Sequence, residues 1–168
     1  MAEPYTDSLE HLLDELALLD LLLHREVVRS RPPQDRRGQQ LFRGVFISEE
    51  EVEDLLGRAG GDEAAESKAS ALEDAAAALD REIAARRQAS LGAGARLTLA
   101  QLSRLFALSP FEERVVVACL ALELDLKYEK LFAFLQDDLT RKRPSVELLM
   151  RLFCASEADR LRARSLLL

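Results

Sequence analysis

Leucine and valine recur at helical spacing near the amino terminus. Steps of three or four residues keep the members of this stripe on one face of an α-helix; they are Leu9, Leu12, Leu16, Leu19, Leu23 and Val27. Asp7 followed by Glu10 has the spacing of a helix cap, and Pro32 ends the run because proline disfavours helix at the preceding residue. The pattern predicts a helix over about 7–29 with a wide apolar face that packs against more than one neighbour.

A second long helix is predicted over about 62–89. Its stripe alternates steps of four and three and is rich in small residues: Ala65, Ala69, Leu72, Ala76, Leu79 and Ile83. Such alternation is typical of a helix hairpin, so we expect this helix to pair with the first as an antiparallel arm. Between them, residues 40–47 are interpreted as an irregular segment or one short strand, and residues 48–56 as a short capped helix.

The remaining chain predicts shorter helices at about 98–108, 109–124, 128–136 and 146–153, and one from Ser156. Thr98 with Gln101 predicts one cap, and the run Ser109-Pro110-Phe111-Glu112 predicts a stronger one, with proline in the first turn. The helix that follows is apolar on nearly every side and is expected to be central and buried. The expected fold class is all-α: a long helical hairpin arm followed by a compact multi-helix bundle.

Charge and glycine suggest how the chain is organised. The net charge is −7, with −9 in residues 1–90 and +2 in residues 91–168. The run Leu91-Gly92-Ala93-Gly94-Ala95 predicts a hinge. The division is therefore an acidic helical arm over 1–90, a Gly/Ala hinge over 91–96 and a compact helical domain over 97–168.

Several classes of function lack a sequence signal. No phosphate loop, G-x-S-x-G or H-E-x-x-H pattern is present. His11 and His24 lie 13 residues apart in one predicted helix, so they are expected on its surface but on different faces, where they cannot share a metal ion. We therefore expect no catalytic residue, cofactor or metal in this chain. Cys119 and Cys154 lie in apolar runs and are expected to be buried, reduced thiols. With no signal peptide and no apolar run of about 18–20 residues, the expected location is cytoplasmic, without a membrane partner.

Two features bear on binding. The helices at 98–108 and 109–124 have helix-turn-helix spacing, but Glu112 and Glu113 at the start of the second disfavour DNA binding. The other feature is a charged motif with the residues Asp137, Asp138, Arg141, Lys142 and Arg143. Its basic triplet could grip a phosphate or an acidic partner surface. Alternatively, its carboxylates accept the arginines across a turn and fix the angle between two helices, which is the favoured interpretation.

These charged residues are part of a longer stretch that resembles a region of a known protein family. The runs Leu108-Ser109-Pro110-Phe111-Glu112, residues 122–131 and residues 134–146 resemble the region upstream of the ATPase module in a family of bacterial AAA+ ATPases. That region is often described as a variant winged helix, and some members are associated with contractile injection systems. The resemblance covers about 97–168, and its most specific part is Leu-Gln-Asp-Asp followed by Arg-x-Arg-Pro. Residues 1–90 match only as a helical arm.

The resemblance implies an amino-terminal, non-catalytic domain that recruits substrate or adaptor proteins for an ATP-driven motor. ATP and Mg²⁺ would bind in a downstream ATPase module, and the leucines at 166–168 suggest a chain cut before that module. A second hypothesis is a free-standing helical adaptor or dimerisation module that oligomerises through the two stripes. A third, less favoured, is a nucleic-acid-binding regulator based on 98–143.

Overall fold

The computed structural model describes residues 2–30, 62–154 and 156–166. Within these ranges the chain forms seven α-helices and no strand. They are α1 (Ser8–Arg29), α2 (Asp62–Gly92), α3 (Thr98–Phe106), α4 (Pro110–Leu124), α5 (Lys127–Leu135), α6 (Val146–Phe153) and α7 (Glu157–Leu166). The predicted all-α class is confirmed. The segment interpreted at 40–47 and the short helix at 48–56 lie outside the described residues.

Helices α1 and α2 form the expected antiparallel hairpin. At one end the backbone N–H of Tyr5 donates to Ser90 Oγ over 2.7 Å, and at the other Arg29 Nη2 pairs with Glu73 Oε2 over 2.8 Å. Asp7 caps α1 by accepting a bond from the N–H of Glu10. The two predicted stripes supply much of the buried seam, with Leu19, Leu23, Val27, Ala69, Ala76 and Ile83.

Helices α4, α5 and α6 pack on α1 to complete the core. One buried apolar cluster contains Leu22 of α1, Ile83 of α2, Ala121 of α4, Phe132 of α5 and Leu152 of α6. The cluster therefore includes residues from both sides of the 91–96 segment. No helix in the described ranges is long and apolar enough to cross a membrane.

The predicted hinge begins as a helix cap. Ala95 N–H donates to Ser90 O and Gly94 N–H to Leu91 O, and Gly94 has a φ of +80°. These bonds and this left-handed glycine form a Schellman motif at the end of α2. Leu97, which follows, is fully buried in a small cluster with Tyr5. The cap fixes the direction in which the chain leaves the hairpin, while the three-part division of the chain stays a prediction.

Three sequence expectations are wrong. Thr98 does not cap α3: the cap position is Leu97, and the Thr98 hydroxyl lies 3.0 Å from that of Ser8. Cys119 is exposed, because α4 contacts the core along one side only. His11 is fully buried rather than on the surface, since the ring of Tyr5 packs 4.9 Å from it.

Candidate functional site

The loop between α5 and α6 contains the charged motif predicted from the sequence. At its start Asp138 N–H donates to Ala133 O and Asp137 N–H to Phe134 O, with Asp137 at a φ of 50°. This is a second Schellman motif, with aspartate at the left-handed position where glycine is usual. Asp137 therefore terminates α5 through its backbone conformation.

Gln136 organises the rest of this loop. Its Nε2 lies 3.0 Å from each of three carbonyl oxygens, those of Phe132, Arg141 and Arg143. Its Oε1 accepts the N–H of Ser145 over 3.0 Å, and Ser145 in turn caps α6. One amide thus holds both ends of the loop, a role visible only once the turn is folded, although this glutamine is part of the Leu-Gln-Asp-Asp motif.

Most charges of the motif are used within the chain. Asp138 Oδ1 accepts bonds from the Thr140 hydroxyl and N–H, and its Oδ2 lies 3.2 Å from Arg141 Nε. The Thr140 bonds are the main cause of a lowered Asp138 pKa, with Arg141 contributing. Lys142 Nζ pairs with Glu129 Oε2 over 2.9 Å. These contacts are those expected of a turn that fixes two helices, and an interaction role for the motif stays a prediction.

A second charged cluster closes the hairpin near the amino terminus. Arg86 of α2 pairs with Glu10 and, over 2.8 Å, with Asp14 of α1, and its guanidinium lies 4.0 Å from the centre of the Tyr5 ring. Bonds from Thr6 and Arg86 lower the pKa of Glu10 to about 2, and burial raises the pKa of Tyr5. The cluster anchors residues 3–10 on α2.

A third cluster joins the hairpin to α6. Arg25 is buried and donates to Leu152 O over 3.0 Å and to Glu73 Oε1 over 3.1 Å. Arg151 of α6 pairs with Glu26 over 3.3 Å. Arg25 thereby satisfies a carbonyl at the end of α6, where helical C=O groups lack intrahelical partners.

A depression between α1, α4 and α6 has room for about one water molecule. It is lined by residues that include Leu18, Leu22, Arg114, Val117 and Phe153 and holds about 10 Å³. Among the described residues, no group of three or more His, Cys, Asp or Glu side chains could hold a metal ion.

Comparison with known families assigns the chain as a whole. Residues 1–168 match the model of the family described as winged helix domain, variant. This chain belongs to that family. No curated protein and no solved structure matches it significantly. The variant winged-helix assignment agrees with the coarser part of the resemblance in residues 97–168, and no strand that could form a wing lies in the ranges that the structure describes.

In this variant winged-helix domain the α3–α4 pair is held by the two glutamates that argued against DNA binding. Glu112 forms the capping box with Ser109, which lowers its pKa. Glu113 is buried; it accepts a bond from Ser103 of α3 over 2.5 Å and pairs with Arg87 of α2. Glu113 is therefore paired inside the fold, Glu112 caps α4 at its half-exposed first turn, and α4 presents its apolar side to the core.

Proposed function

We propose that this variant winged-helix domain is a non-catalytic, cytoplasmic module that recruits substrate or adaptor proteins for a AAA+ ATPase. The observation that carries the proposal is the resemblance of residues 105–153, and above all the Leu-Gln-Asp-Asp and Arg-x-Arg-Pro motif. The structure gives that motif a physical basis, because Gln136 binds the carbonyls of Arg141 and Arg143. The two parts of the motif therefore belong to one folded turn.

In this proposal the chain supplies contacts, and the ATPase module supplies ATP and Mg²⁺ chemistry. The two long-range glutamate and arginine clusters, at Glu113 and at Arg25, tie α1, α2, α3, α4 and α6 together. The charged loop at 137–143 and the exposed apolar side chains of α3 are among the described surfaces that such a partner could contact.

No specific observation favours the other two hypotheses. The dimerisation hypothesis relied on the stripes at Leu9–Val27 and Ala65–Ile83. Three of the six residues of the first stripe and three of the five described side chains of the second are buried within the chain. The nucleic-acid hypothesis relied on α4 as a recognition helix. Its amino end carries Glu112 and Glu113, and its apolar side contributes Val117 and Ala121 to the core.

The proposal is tested by the coding sequence and by biochemistry. Reading the frame past residue 168 should give a G-x-x-x-x-G-K-[ST] phosphate loop. The longer protein should then hydrolyse ATP, and deleting residues 1–168 should leave basal hydrolysis intact while abolishing the unfolding of client proteins. A reading frame with no phosphate loop would refute the proposal.

A further inference from the structure

The last turn of α3 exposes two neighbouring large apolar side chains. Leu105 is 75% and Phe106 is 70% exposed, and no other two consecutive large apolar residues in the described ranges are both exposed. Burying one such side chain stabilises a fold by about 1.5–3 kcal/mol. The chain leaves two of them exposed side by side, so this stabilisation is available to a binding partner. Aromatic and large aliphatic side chains of this kind are the usual anchors of protein interfaces.

The backbone that carries these two side chains is held in place by the turn that follows it. Ala107 has a φ of 52°, a left-handed conformation that is unfavourable for a residue with a Cβ. The residues that follow it are held by the hydrogen bond from Leu108 N–H to Ser103 O, over 2.9 Å, and by the capping box at Ser109. Ser103 itself is bonded to buried Glu113. An anchor that is already ordered loses less conformational entropy on binding.

A positive charge adjoins the apolar pair. Arg104 is exposed on the same turn of α3, and its guanidinium forms no ion pair with a carboxylate of the described residues. Of the two carboxylates that follow it most closely along the chain, Glu113 pairs with Arg87, and Glu112 accepts the N–H and hydroxyl of Ser109 on one oxygen without an ion pair to a described residue. Arg114 of the following helix, by contrast, pairs with Asp80. The turn therefore combines two apolar anchors with a cation that its own fold does not neutralise.

We propose that the α3 corner, defined as Arg104, Leu105 and Phe106, docks an acidic amphipathic helix of a partner protein. The apolar face of such a helix covers Leu105 and Phe106, as in other helix-recognition surfaces. A carboxylate at its edge pairs with Arg104, which selects acidic over basic helices. This inference rests on the protein-recruiting function proposed above and names the surface and the chemistry of the partner.

The test uses the whole 168-residue chain and a synthetic helix as the probe. The probe is a labelled peptide of about 18 residues, with leucine at helical i, i+3, i+4, i+7 spacing and glutamate at most other positions; its twin has lysine in place of glutamate. Fluorescence anisotropy should show the acidic peptide binding about tenfold more tightly than the twin. The double change Leu105→Ser with Phe106→Ser should weaken binding at least about tenfold. Arg104→Glu should reverse the preference between the two peptides.

The matched controls lie on α7. Leu161 is 67% exposed and Arg160 is exposed as well, so Leu161→Ser and Arg160→Glu change the same residue types outside the α3 corner and should leave binding unchanged. Because the altered side chains are exposed, circular dichroism should show native folding in each variant. If the double variant fails to fold, the reversal by Arg104→Glu decides the matter alone.

Four results would overturn the inference. The first is that the acidic peptide does not bind, and the second is that the corner and control variants bind it equally well. The third is self-association in light scattering that the corner variants abolish. The fourth is binding of duplex DNA that depends on Arg104 but not on Leu105. The last two would assign the corner to a second copy or to phosphate. The reading-frame test is independent: a missing phosphate loop would refute the ATPase proposal even if the peptide binds, and failed peptide binding leaves the reading frame unaffected.

Discussion

Glu113 provides the sharpest test of how this fold is held together. Its carboxylate receives the Ser103 hydroxyl from α3 and both terminal nitrogens of Arg87 from α2, while its own backbone belongs to α4. Removing one partner of a buried ion pair costs about 3–5 kcal/mol. The Arg87 side chain is 27% exposed, so in a Glu113→Ala variant it regains part of its hydration. We therefore expect Glu113→Ala to lower the free energy of unfolding by about 2–3 kcal/mol.

Urea denaturation followed by circular dichroism measures this loss, and thermal unfolding should show a Tm lowered by about 5–10 °C. Glu113→Gln keeps a hydrogen-bonding group beside Ser103 and should cost only about 1 kcal/mol. A double-mutant cycle with Arg87→Ala should give a coupling energy of about 1–2 kcal/mol. Glu123→Ala, at an exposed position of the same helix, is the matched control and should change stability by less than about 0.5 kcal/mol. A Glu113→Ala variant no less stable than this control would refute the reasoning.

Four further outcomes follow from the contacts described. Gln136→Glu should destabilise the chain by about 2 kcal/mol in urea, because a carboxylate would face three carbonyl oxygens; stability equal to wild type would contradict the assigned role. Ala107→Gly should raise the free energy of unfolding by about 1 kcal/mol, since glycine tolerates a φ of 52°, and a loss of stability would count against it. The pKa of Glu10 is lowered from 4.5 to about 2, so its ionised carboxylate stabilises the fold above pH 4.5, and this stability is lost as the pH falls towards 2. The Tm of Glu10→Gln should therefore fall less steeply than that of wild type between pH 4.5 and pH 2, and an equal fall would contradict the assigned pairing. His11→Phe should stay within about 1 kcal/mol of wild type while His11→Ala loses about 2–4 kcal/mol, because the ring fills a buried site and Glu15 Oε1, 3.4 Å from its Nε2, forms no hydrogen bond with it; equal losses would show that the Glu15 contact matters.

Local signals predicted the helices well. The capping box at Ser109 sets the start of α4 at the expected residue, and α6 has the bounds predicted for it. In both cases the determining bonds span three residues, so a short stretch of sequence contains all the information. The same holds for Asp7 at the start of α1.

Burial and loop structure were harder to predict, because they depend on residues distant in sequence. His11 is covered by Tyr5, whose backbone is held by Ser90 of α2. The Thr98 hydroxyl bonds to that of Ser8 of α1 and does not cap α3. An apolar run likewise predicts a buried helix without saying which side meets the core, and this is why Cys119 lies outside. For the candidate loop, the sequence marked the charged residues, whereas Gln136 holds the turn through backbone atoms that no motif specifies.

Glu112 and Glu113 show why surface charge must be counted after folding. In the sequence they are two equivalent acids at the start of a helix, and both argue against phosphate binding. In the fold Glu112 closes a local cap, and Glu113 is buried in bonds to two other helices. Glu113 is thus paired with Arg87, while Glu112 keeps its charge in the half-exposed first turn of α4, and Arg104 beside the α3–α4 turn forms no ion pair with a described carboxylate. The end of α3 therefore exposes this cation and two apolar side chains, and these are the features on which an acidic protein helix is proposed as its partner.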